Sequence, residues 1–324
     1  MKYLRTLEES TGLVPTHISS INNTPYVHWI EGNLDEFIEP FSSQTINRVY
    51  KDTNRKRALS QLNIFIEPSD KIQRGCIKGI IFHVSRCGST LLSNCIRQGT
   101  DSVVLSEFQL ISYFFNSVGF LLRGKNECDS VKSSILKGIL SWLCKITSKD
   151  IVIKTNSWNI MQSEFLLEAA NFPKSLFIYR NPIEVIASQL ENPAPWVNNY
   201  FYKKKSVVDV SEDEKKLYRV ELMSNVFSKL YKEGLIFLDR GNFFLLDYSN
   251  LNNKKIVRIF DFLGLKKDAN MDDKLDFCFK FYSKDKVLQK IFLNDSKQKL
   301  NVFNKAEINV IERTIYPYYS ILIK

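Results

Sequence analysis

Five short apolar runs constrain the fold of this chain more than any other feature of its sequence. They are rich in β-branched residues, and each is followed by a polar break and a segment with helical periodicity; they lie at residues 79–85, 102–107, 151–155, 175–180 and 242–248. Apolar strands that alternate with helices are typical of a parallel sheet covered on both faces. The pattern predicts an α/β fold over residues 75–324, with a doubly wound, mostly parallel sheet and flanking helices.

Two segments do not follow this alternation. For residues 1–74 we predict a helical N-terminal extension that packs on the main domain and ends near Pro68. Residues 192–216 contain two prolines, several aromatic residues and the run Lys203–Lys205. A connection of this length inside a domain is usually functional, so we predict a lid there, with a solvated surface loop as the alternative.

Composition excludes several classes of protein. The chain has 324 residues, 44% of them apolar, and its 45 basic and 35 acidic residues give a net charge of +10. These values exclude intrinsic disorder and collagen-like repeats. The best candidate for a membrane span, residues 108–122, is shorter than the roughly 18 residues required and is broken by polar side chains. Acidic residues near the N-terminus argue against a signal peptide, so we expect a cytoplasmic protein without a membrane span.

The cysteines give a second exclusion. The six lie at positions 76, 87, 95, 128, 144 and 278, and no two are separated by two to four residues. This spacing excludes a zinc ribbon and a compact disulfide framework, and the sequence contains no cluster of metal-ligating residues. We therefore expect reduced thiols and no bound metal.

The sharpest local feature is the turn between the first strand and its helix, at residues 83–96. Gly88 can adopt backbone angles closed to other residues, and Ser89 and Thr90 suit the first turn of a helix. Free N–H groups at a helix start bind anions, which predicts a phosphate-binding turn. It differs from the GxxxxGK[ST] loop of nucleoside triphosphatases, because Ser89 replaces the lysine and the cation is Arg86. A plain strand-to-helix turn is the alternative.

A second anion site is predicted after the run at residues 175–180. This strand ends at Arg180, and the following Asn181, Pro182 and Glu184 form a helix-start signature in the manner of a capping box. The guanidinium is thereby placed at the carboxyl edge of the sheet, where open α/β folds bind ligands. Ser188 follows nearly two helical turns later. Two anion sites on neighbouring turns predict a ligand with two separate phosphate groups.

In these residues the chain resembles the sulfotransferase superfamily over about residues 75–265. The family's 5′-phosphosulfate loop, Lys-x-Gly-Thr-Thr, is similar to Arg86-Cys87-Gly88-Ser89-Thr90, and its 3′-phosphate element is similar to Arg180 with Ser188. The wording RNPIEVIASQL is close to the heparan-type enzymes, and a later family element matches residues 248–265. The whole chain looks most like bacterial sulfotransferase family proteins.

The resemblance implies a P-loop NTPase-like sulfotransferase fold and an enzyme that uses 3′-phosphoadenosine 5′-phosphosulfate without a metal. It implies that the cofactor is bound by Ser85, Arg86, Cys87, Gly88, Ser89, Thr90, Arg180 and Ser188. Cytosolic members carry a catalytic His where this chain has Asn156, which cannot act as a general base. Glu107 occupies the place of the base in heparan-type enzymes and is the candidate here, with a helix-start carboxylate as the alternative. Arg86 and Lys154 are the candidate catalytic cations, and a surface lysine is the alternative for Lys154.

The predicted reaction is in-line transfer of a sulfuryl group to a hydroxyl or amine of a small molecule or peptide. Aromatic residues at 108–120 and 196–202 suit an apolar or aromatic acceptor, although such residues are also typical of a core. A P-loop kinase or other phosphotransferase is the alternative, with Asp247 as its magnesium ligand. A nucleic-acid or acidic-partner protein is a third hypothesis. Because the basic residues are scattered pairs without a recognised module, we expect no nucleic-acid partner.

Three further expectations concern single residues. A nucleophilic Cys87 is not expected, because the Cys-x5-Arg signature of phosphatases is absent. We expect His83 to pack inside the first strand. The C-terminal basic grip of the family on the 3′-phosphate is not visible, and Lys284 and Arg313 are the available candidates.

Overall fold

A computed structural model describes residues 2–66, 75–118, 128–201, 207–281, 298–299 and 301–324. Its strands are β1 (Lys2–Tyr3), β2 (Leu13–Ile21), β3 (Thr24–Glu31), β4 (Arg57–Gln61), β5 (Ile77–His83), β6 (Ser102–Ser106), β7 (Asp150–Lys154), β8 (Ser175–Tyr179) and β9 (Phe243–Asp247). Its α-helices are α1 (Ser42–Lys51), α2 (Ser89–Gly99), α3 (Gln109–Tyr113), α4 (Cys128–Lys145), α5 (Ser163–Ala169), α6 (Pro182–Glu191), α7 (Pro195–Phe201), α8 (Arg219–Gly234), α9 (Asn253–Leu263), α10 (Met271–Lys280) and α11 (Lys305–Leu322).

The five predicted apolar runs form one five-stranded sheet in the order β6-β7-β5-β8-β9, and every pairing in it is parallel. The predicted α/β fold with flanking helices is confirmed. Strands β5, β7 and β8 are almost fully buried, which explains why they are continuously apolar and do not alternate. After β5 the chain forms β6 and β7 on one side of β5, and it then crosses over to form β8 and β9 on the other side. The crevice where ligands bind in such sheets therefore lies above β5 and β8.

The helical prediction for residues 1–74 is wrong in the part that the structure describes. Residues 2–61 contain a four-stranded sheet in the order β1-β4-β3-β2, with α1 as the only α-helix among them. Strands β2 and β3 form an antiparallel hairpin, and its turn residues Asn22 and Asn23 both have positive φ, 50° and 62°. Asn tolerates this conformation, and a two-residue turn of this kind matches the twist of a hairpin. The sequence signal was therefore present. The domain boundary at residue 74 stays a prediction.

The expectation of reduced thiols is wrong for one pair of cysteines. Cys76 and Cys144 form a disulfide across 68 residues of sequence. The spacing argument considered only cysteines close in sequence, whereas the fold brings the start of β5 to the end of α4. Cys87, Cys95 and Cys278 are buried and lie outside this disulfide.

Two other predicted segments are described only in part. Residues 109–118 of the apolar stretch form α3 and one π-helical turn, and the stretch from residue 119 lies outside the described residues. None of the helices that the structure describes has the length and apolar character needed to cross a bilayer. The predicted lid begins with α7, while Lys203–Lys205 and Lys284 lie outside the described residues.

Candidate functional site

The carboxyl ends of the five parallel strands meet at one edge of the sheet, and each carries a residue that the sequence analysis named. Across the sheet these are Glu107 after β6, Lys154 at the end of β7, the turn at 85–90 after β5, Arg180 after β8, and Asp247 with Tyr248 at the end of β9. The topology therefore places all of the predicted catalytic and anion-binding elements along one line.

The turn after β5 has the backbone geometry of an anion cradle. Ser85, Arg86 and Gly88 all have positive φ, 70°, 51° and 79°. Gly88 is the N-cap of α2 and places no side chain over the first helical turn, and the first helical bond runs from the Leu92 N–H to the Gly88 carbonyl. The N–H groups before Leu92 therefore point out of the helix start, where an anion is stabilised by them and by the helix dipole.

Hydrogen bonds to neighbouring strands and helices hold this turn from both sides. The Ser85 N–H donates to Nδ1 of His83 at 3.0 Å, so Nε2 carries the ring proton and donates to the Thr155 carbonyl at 2.9 Å. His83 is buried, as predicted, and acts as a brace between β5 and β7. On the other side, Gln189 of α6 donates to Oγ of Ser85 at 2.9 Å.

Cys87, Ser89 and Thr90 are all buried. The Cys87 thiol donates to the Ile178 carbonyl at 3.3 Å, and burial raises its pKa to about 11, while Lys154 and Arg180 act in the opposite direction. An activated nucleophile needs a lowered pKa, so the thiol is a structural group. These residues contribute backbone N–H groups to the turn, together with the hydroxyls of Ser89 and Thr90.

Arg180 lies directly against the turn. Its Nη1 donates to the Arg86 carbonyl at 3.3 Å, its Nη2 pairs with Glu184 at 2.8 Å, and its guanidinium lies 4.4 Å from the centre of the Tyr248 ring. The Tyr248 ring also fills the space beside Gly88, where an added Cβ would come within 2.5 Å of it. The two predicted anion sites are therefore adjacent and share one aromatic wall.

The helix start after Arg180 is as predicted in one respect and different in another. Asn181 is the N-cap of α6 and accepts from the Ile183 N–H at 2.9 Å, with Pro182 at the first helical position. Glu184 binds Arg180 and does not complete a capping box. The ion pair and the N-cap together fix the direction in which the guanidinium points.

Ser188 lies in the last turn of α6, which is hydrogen-bonded to the phosphate-binding turn. The guanidinium of Arg86 donates to the Asn192 carbonyl, and the Asn192 N–H in turn donates to the Ser188 carbonyl at 3.2 Å. Ser188 also precedes Gln189, which binds Ser85. The last turn of α6 is thus joined to the phosphate-binding turn at two points.

Lys154 and Glu107 form an ion pair, with Nζ of Lys154 2.6 Å from Oε1 of Glu107. The Lys154 side chain is 1% exposed and that of Glu107 is 26% exposed, so the carboxylate is the member of the pair that solvent reaches. Glu107 has a positive φ of 50°, and its N–H donates to the Lys154 carbonyl at 2.7 Å. A lysine buried in this way is not the surface lysine that was the alternative.

Residues 37–42 of the N-terminal part close one side of this ion pair. Oγ of Ser42 donates to the Glu107 carbonyl at 2.8 Å, and the Phe41 ring lies 5.2 Å from Nζ of Lys154. Phe37 packs edge-on against Phe108 with 5.4 Å between ring centres. Nothing in the sequence of residues 37–42 pointed to this position.

The arrangement fits a bound polyanion. The turn at residues 85–90 places the start of α2 and the guanidinium of Arg180 beside each other. Ser106 is the residue of β6 paired with Lys154 of β7, and its buried Oγ has no hydrogen-bond partner in the described part of the chain. By contrast, the described residues contain no group of three His, Cys, Asp or Glu side chains placed to hold a metal ion. Arg313, the other candidate for the 3′-phosphate, is exposed on α11.

Comparison with known proteins gives similar solved structures only. No protein-family model and no curated protein matches the chain. The sulfotransferase domain of the Synechococcus PCC 7002 olefin synthase is 13% identical, covering 76% of this chain and 97% of that chain, with a TM-score of 0.47. Sulfotransferase STF9 from Mycobacterium avium is 11% identical, covering 80% of this chain and 81% of that chain, also at 0.47. The sulfotransferase domain from the curacin biosynthetic pathway is 14% identical, covering 75% and 99%, at 0.43. Because each TM-score is below 0.5, the case for function rests on the site itself.

Proposed function

We propose that the protein is a sulfotransferase that moves a sulfuryl group from 3′-phosphoadenosine 5′-phosphosulfate to a hydroxyl or amine of a small molecule or peptide, by in-line transfer and without a metal. The observation that carries the proposal is the contact between the two anion-binding elements. Arg180 donates to the carbonyl of Arg86 and shares the Tyr248 ring with Gly88. A nucleotide with one phosphate group on each side of its ribose, such as this one, can be held by both elements.

The residues that would hold the nucleotide fall into two groups. The N–H groups and hydroxyls of residues 85–90, with the guanidinium of Arg86, would bind the 5′-phosphosulfate. Arg180 and Ser188 would bind the 3′-phosphate, and the ion pair with Glu184 fixes the Arg180 side chain for this purpose. When bound, the nucleotide supplies an activated sulfuryl group.

Lys154 and Glu107 supply the charges that transfer requires on the acceptor side of the turn. Lys154 holds a positive charge in a buried position, where it stabilises negative charge more strongly than it would in water. Glu107 accepts the proton of the acceptor hydroxyl at its carboxylate, whose exposed part can be reached from solvent. The Phe41 ring and Ser42 exclude water from one side of the pair.

Calorimetric titration with adenosine 3′,5′-bisphosphate and with ATP, each with and without magnesium, tests the proposal. We expect the bisphosphate to bind at least about tenfold more tightly than ATP, a difference of about 1.4 kcal/mol, and to be unaffected by EDTA. Arg180→Lys should weaken this binding, because Lys cannot form the two bonds of the guanidinium. Arg240→Lys is the matched control, because Arg240, which precedes β9, also forms an ion pair with a glutamate, Glu164. Tighter, magnesium-dependent binding of ATP would overturn the proposal in favour of a kinase.

The kinase alternative depends on Asp247, and its carboxylate is already engaged. One oxygen accepts from the Ser249 N–H at 2.7 Å and the other accepts from the Tyr319 hydroxyl at 3.3 Å.

A cytoplasmic location stays a sequence-based prediction. The Cys76–Cys144 disulfide is the observation against it, because disulfides are rare in the cytosol of most organisms.

A further inference from the structure

Four aromatic rings of the N-terminal part and α3 form one cluster. His17 of β2 and His28 of β3 stack with 4.2 Å between ring centres and 10° between ring planes. The rings of Tyr50 and Tyr113 lie 6.1 Å and 6.2 Å from that of His17. Tyr113 is the last residue of α3 and is exposed, and both imidazoles are half-buried. The cluster therefore has a face that solvent reaches.

The cluster is tied to Glu107 from two directions. Tyr113 follows Glu107 by six residues, mostly helical, which corresponds to about 9 Å along the chain. Tyr50 lies at the other end of α1 from Ser42, whose hydroxyl binds the Glu107 carbonyl.

The hydrogen bonds of the two imidazoles define what a ligand would meet. The Thr16 hydroxyl donates to the His28 carbonyl at 3.0 Å, so Nδ1–H of His17 donates to the Thr16 oxygen at 3.0 Å. Nε2 of a neutral His17 is then a hydrogen-bond acceptor. His28 is bonded through Nε2 to the Ser19 hydroxyl at 2.7 Å. In the part of the chain that the structure describes, no hydrogen bond reaches Nε2 of His17 or Nδ1 of His28.

Both imidazoles are uncharged near neutral pH. Burial and the neighbouring His28 lower the pKa of His17 to about 4, and burial lowers the pKa of His28. The cation that the described contacts bring to the cluster is Arg57, which lies 5.0 Å from the centre of the Tyr50 ring and donates to the Tyr50 carbonyl. Two parallel rings 4.2 Å apart cannot both direct an in-plane lone pair at one metal ion about 2 Å away.

We propose that His17, His28 and Tyr113 form the acceptor-binding surface of the enzyme, and that this surface takes an uncharged, hydroxylated, ring-containing molecule. The inference rests on the proposed function, because it assigns the acceptor of that reaction. A hydroxyl of the ligand donates to Nε2 of His17, and the ring packs on the Tyr113 and imidazole faces. A second hydroxyl of the molecule, the one that accepts the sulfuryl group, extends towards Glu107.

Direct binding tests this surface without turnover. 2-Naphthol is the probe, with 2-naphthoate and tyramine as its charged counterparts. In ¹⁵N-resolved NMR spectra we expect 2-naphthol to shift the side-chain nitrogens of His17 and His28 and to leave those of His83, which binds Ser85 and Thr155, unchanged. Naphthoate and tyramine should give less than about a tenth of this affinity. Equal binding of all three probes, or shifts absent from His17 and His28, would overturn the proposal.

Paired variants separate the ring nitrogens from the fold. His17→Leu removes the acceptor, whereas His17→Gln keeps an amide near the position of Nε2; we expect about a tenfold loss of 2-naphthol affinity in the first and a smaller loss in the second. Tyr3→Ala, an exposed aromatic on the far edge strand β1, is the matched control and should change nothing. With naphthalene-2,6-diol as acceptor, which has one hydroxyl for His17 and another for transfer, His17→Leu should raise KM and leave kcat and the affinity for adenosine 3′,5′-bisphosphate unchanged. A fall in kcat with constant KM would overturn the assignment.

The two proposals fail differently in these experiments. If the bisphosphate binds and 2-naphthol does not, the acceptor surface is wrong and the sulfotransferase proposal stands. If 2-naphthol shifts His17 and the bisphosphate does not bind, the sulfotransferase proposal is wrong, and with it the role of the surface as its acceptor site.

Discussion

Gly88 lies where the two anion-binding elements meet. A side chain at this position would clash with the Tyr248 ring, which also contacts Arg180. The φ of Gly88 is 79°, which other residues adopt at a cost, and an added Cβ would lie 2.5 Å from the ring. We expect Gly88→Ala to lower the free energy of unfolding by about 1–3 kcal/mol and to weaken nucleotide binding about tenfold or more, because Tyr248 must move away from Arg180. Urea denaturation and calorimetry measure the two effects.

Gly12→Ala is the matched control for this substitution. Gly12 has nearly the same φ, 77°, but an added Cβ would meet nothing within 4 Å. If backbone strain were the only effect, the two substitutions would lower the free energy of unfolding by the same amount. Equal losses, with nucleotide affinity unchanged in both, would show that the contact between Gly88 and Tyr248 has no part in the site.

Glu107 is the other residue at which a single substitution is decisive. In Glu107→Gln the carboxylate that would take the acceptor proton is replaced by an amide of the same shape. We expect kcat to fall about 100-fold to 10,000-fold, the usual contribution of a general base, with little change in the Kd of adenosine 3′,5′-bisphosphate. Parallel loss of activity and nucleotide binding, or loss of neither, would contradict the assignment. A thermal melt serves as the control, because the substitution leaves the buried Lys154 without its charged partner.

Sequence predicts the residues of this site better than their contacts. Gly88, Arg180, Lys154 and Glu107 stand at strand ends, which local patterns reveal, and the parallel topology brings strand ends together. The sharing of the Tyr248 ring by Gly88 and Arg180 depends on the packing of β9 beside β8, and no local pattern encodes that. The Lys154–Glu107 pair likewise follows from the neighbouring positions of β6 and β7 in the sheet.

At the scale of elements, the N-terminal hairpin shows where local interpretation failed. Strands β2 and β3 contain polar residues, and only the two turn asparagines separate them. Hydrophobic periodicity alone therefore did not reveal a sheet. The five buried strands of the main sheet were found because burial on both faces requires an unbroken apolar run. A strand with one exposed face gives a weaker signal, and here two of its polar positions carry the histidines of the ring cluster.

The same hairpin predicts a dependence of stability on pH. Because the pKa of His17 is lowered from 6.5 to about 4 in the folded protein, the unfolded chain binds more protons between these values. The stability that depends on a neutral His17 is therefore fully present above pH 6.5, and it is lost as the pH is lowered towards 4. Since the ring is only half-buried, we expect the loss to be about 1–2 kcal/mol.

Urea denaturation at a series of pH values measures this loss, and His17→Gln is its control because the amide does not titrate. The difference in stability between the native protein and His17→Gln should change between pH 6.5 and 4 and be constant above that range. A difference that does not vary with pH would show that His17 has the same pKa in the folded and unfolded chain.

At the scale of the whole molecule, the N-terminal part and the main domain share one hydrophobic core. The ring centres of Trp29 of β3 and Trp142 of α4 lie 6.4 Å apart, and the Phe65 carbonyl approaches the same helix at Gly138. Since residues 37–42 of this part also cover the Lys154–Glu107 pair, the packing at α4 supports the site from a distance. Any change that separates the two parts is therefore expected to affect catalysis as well as stability.

Gly138→Ala tests this coupling, because helix propensity and packing predict opposite signs for it. In an isolated helix the change to Ala stabilises by about 1 kcal/mol. In this protein an added Cβ would lie 1.8 Å from the Phe65 carbonyl oxygen, a backbone atom that cannot move without shifting the chain between β4 and β5. We therefore expect Gly138→Ala to destabilise the protein by about 2 kcal/mol or more and to lower kcat by displacing Phe41 and Ser42. Gly241→Ala, where nothing lies within 4 Å, is the control for an added methyl group. A stabilised Gly138→Ala protein would mean that the N-terminal part does not pack on α4 at this point, and its cover of Glu107 would need another support.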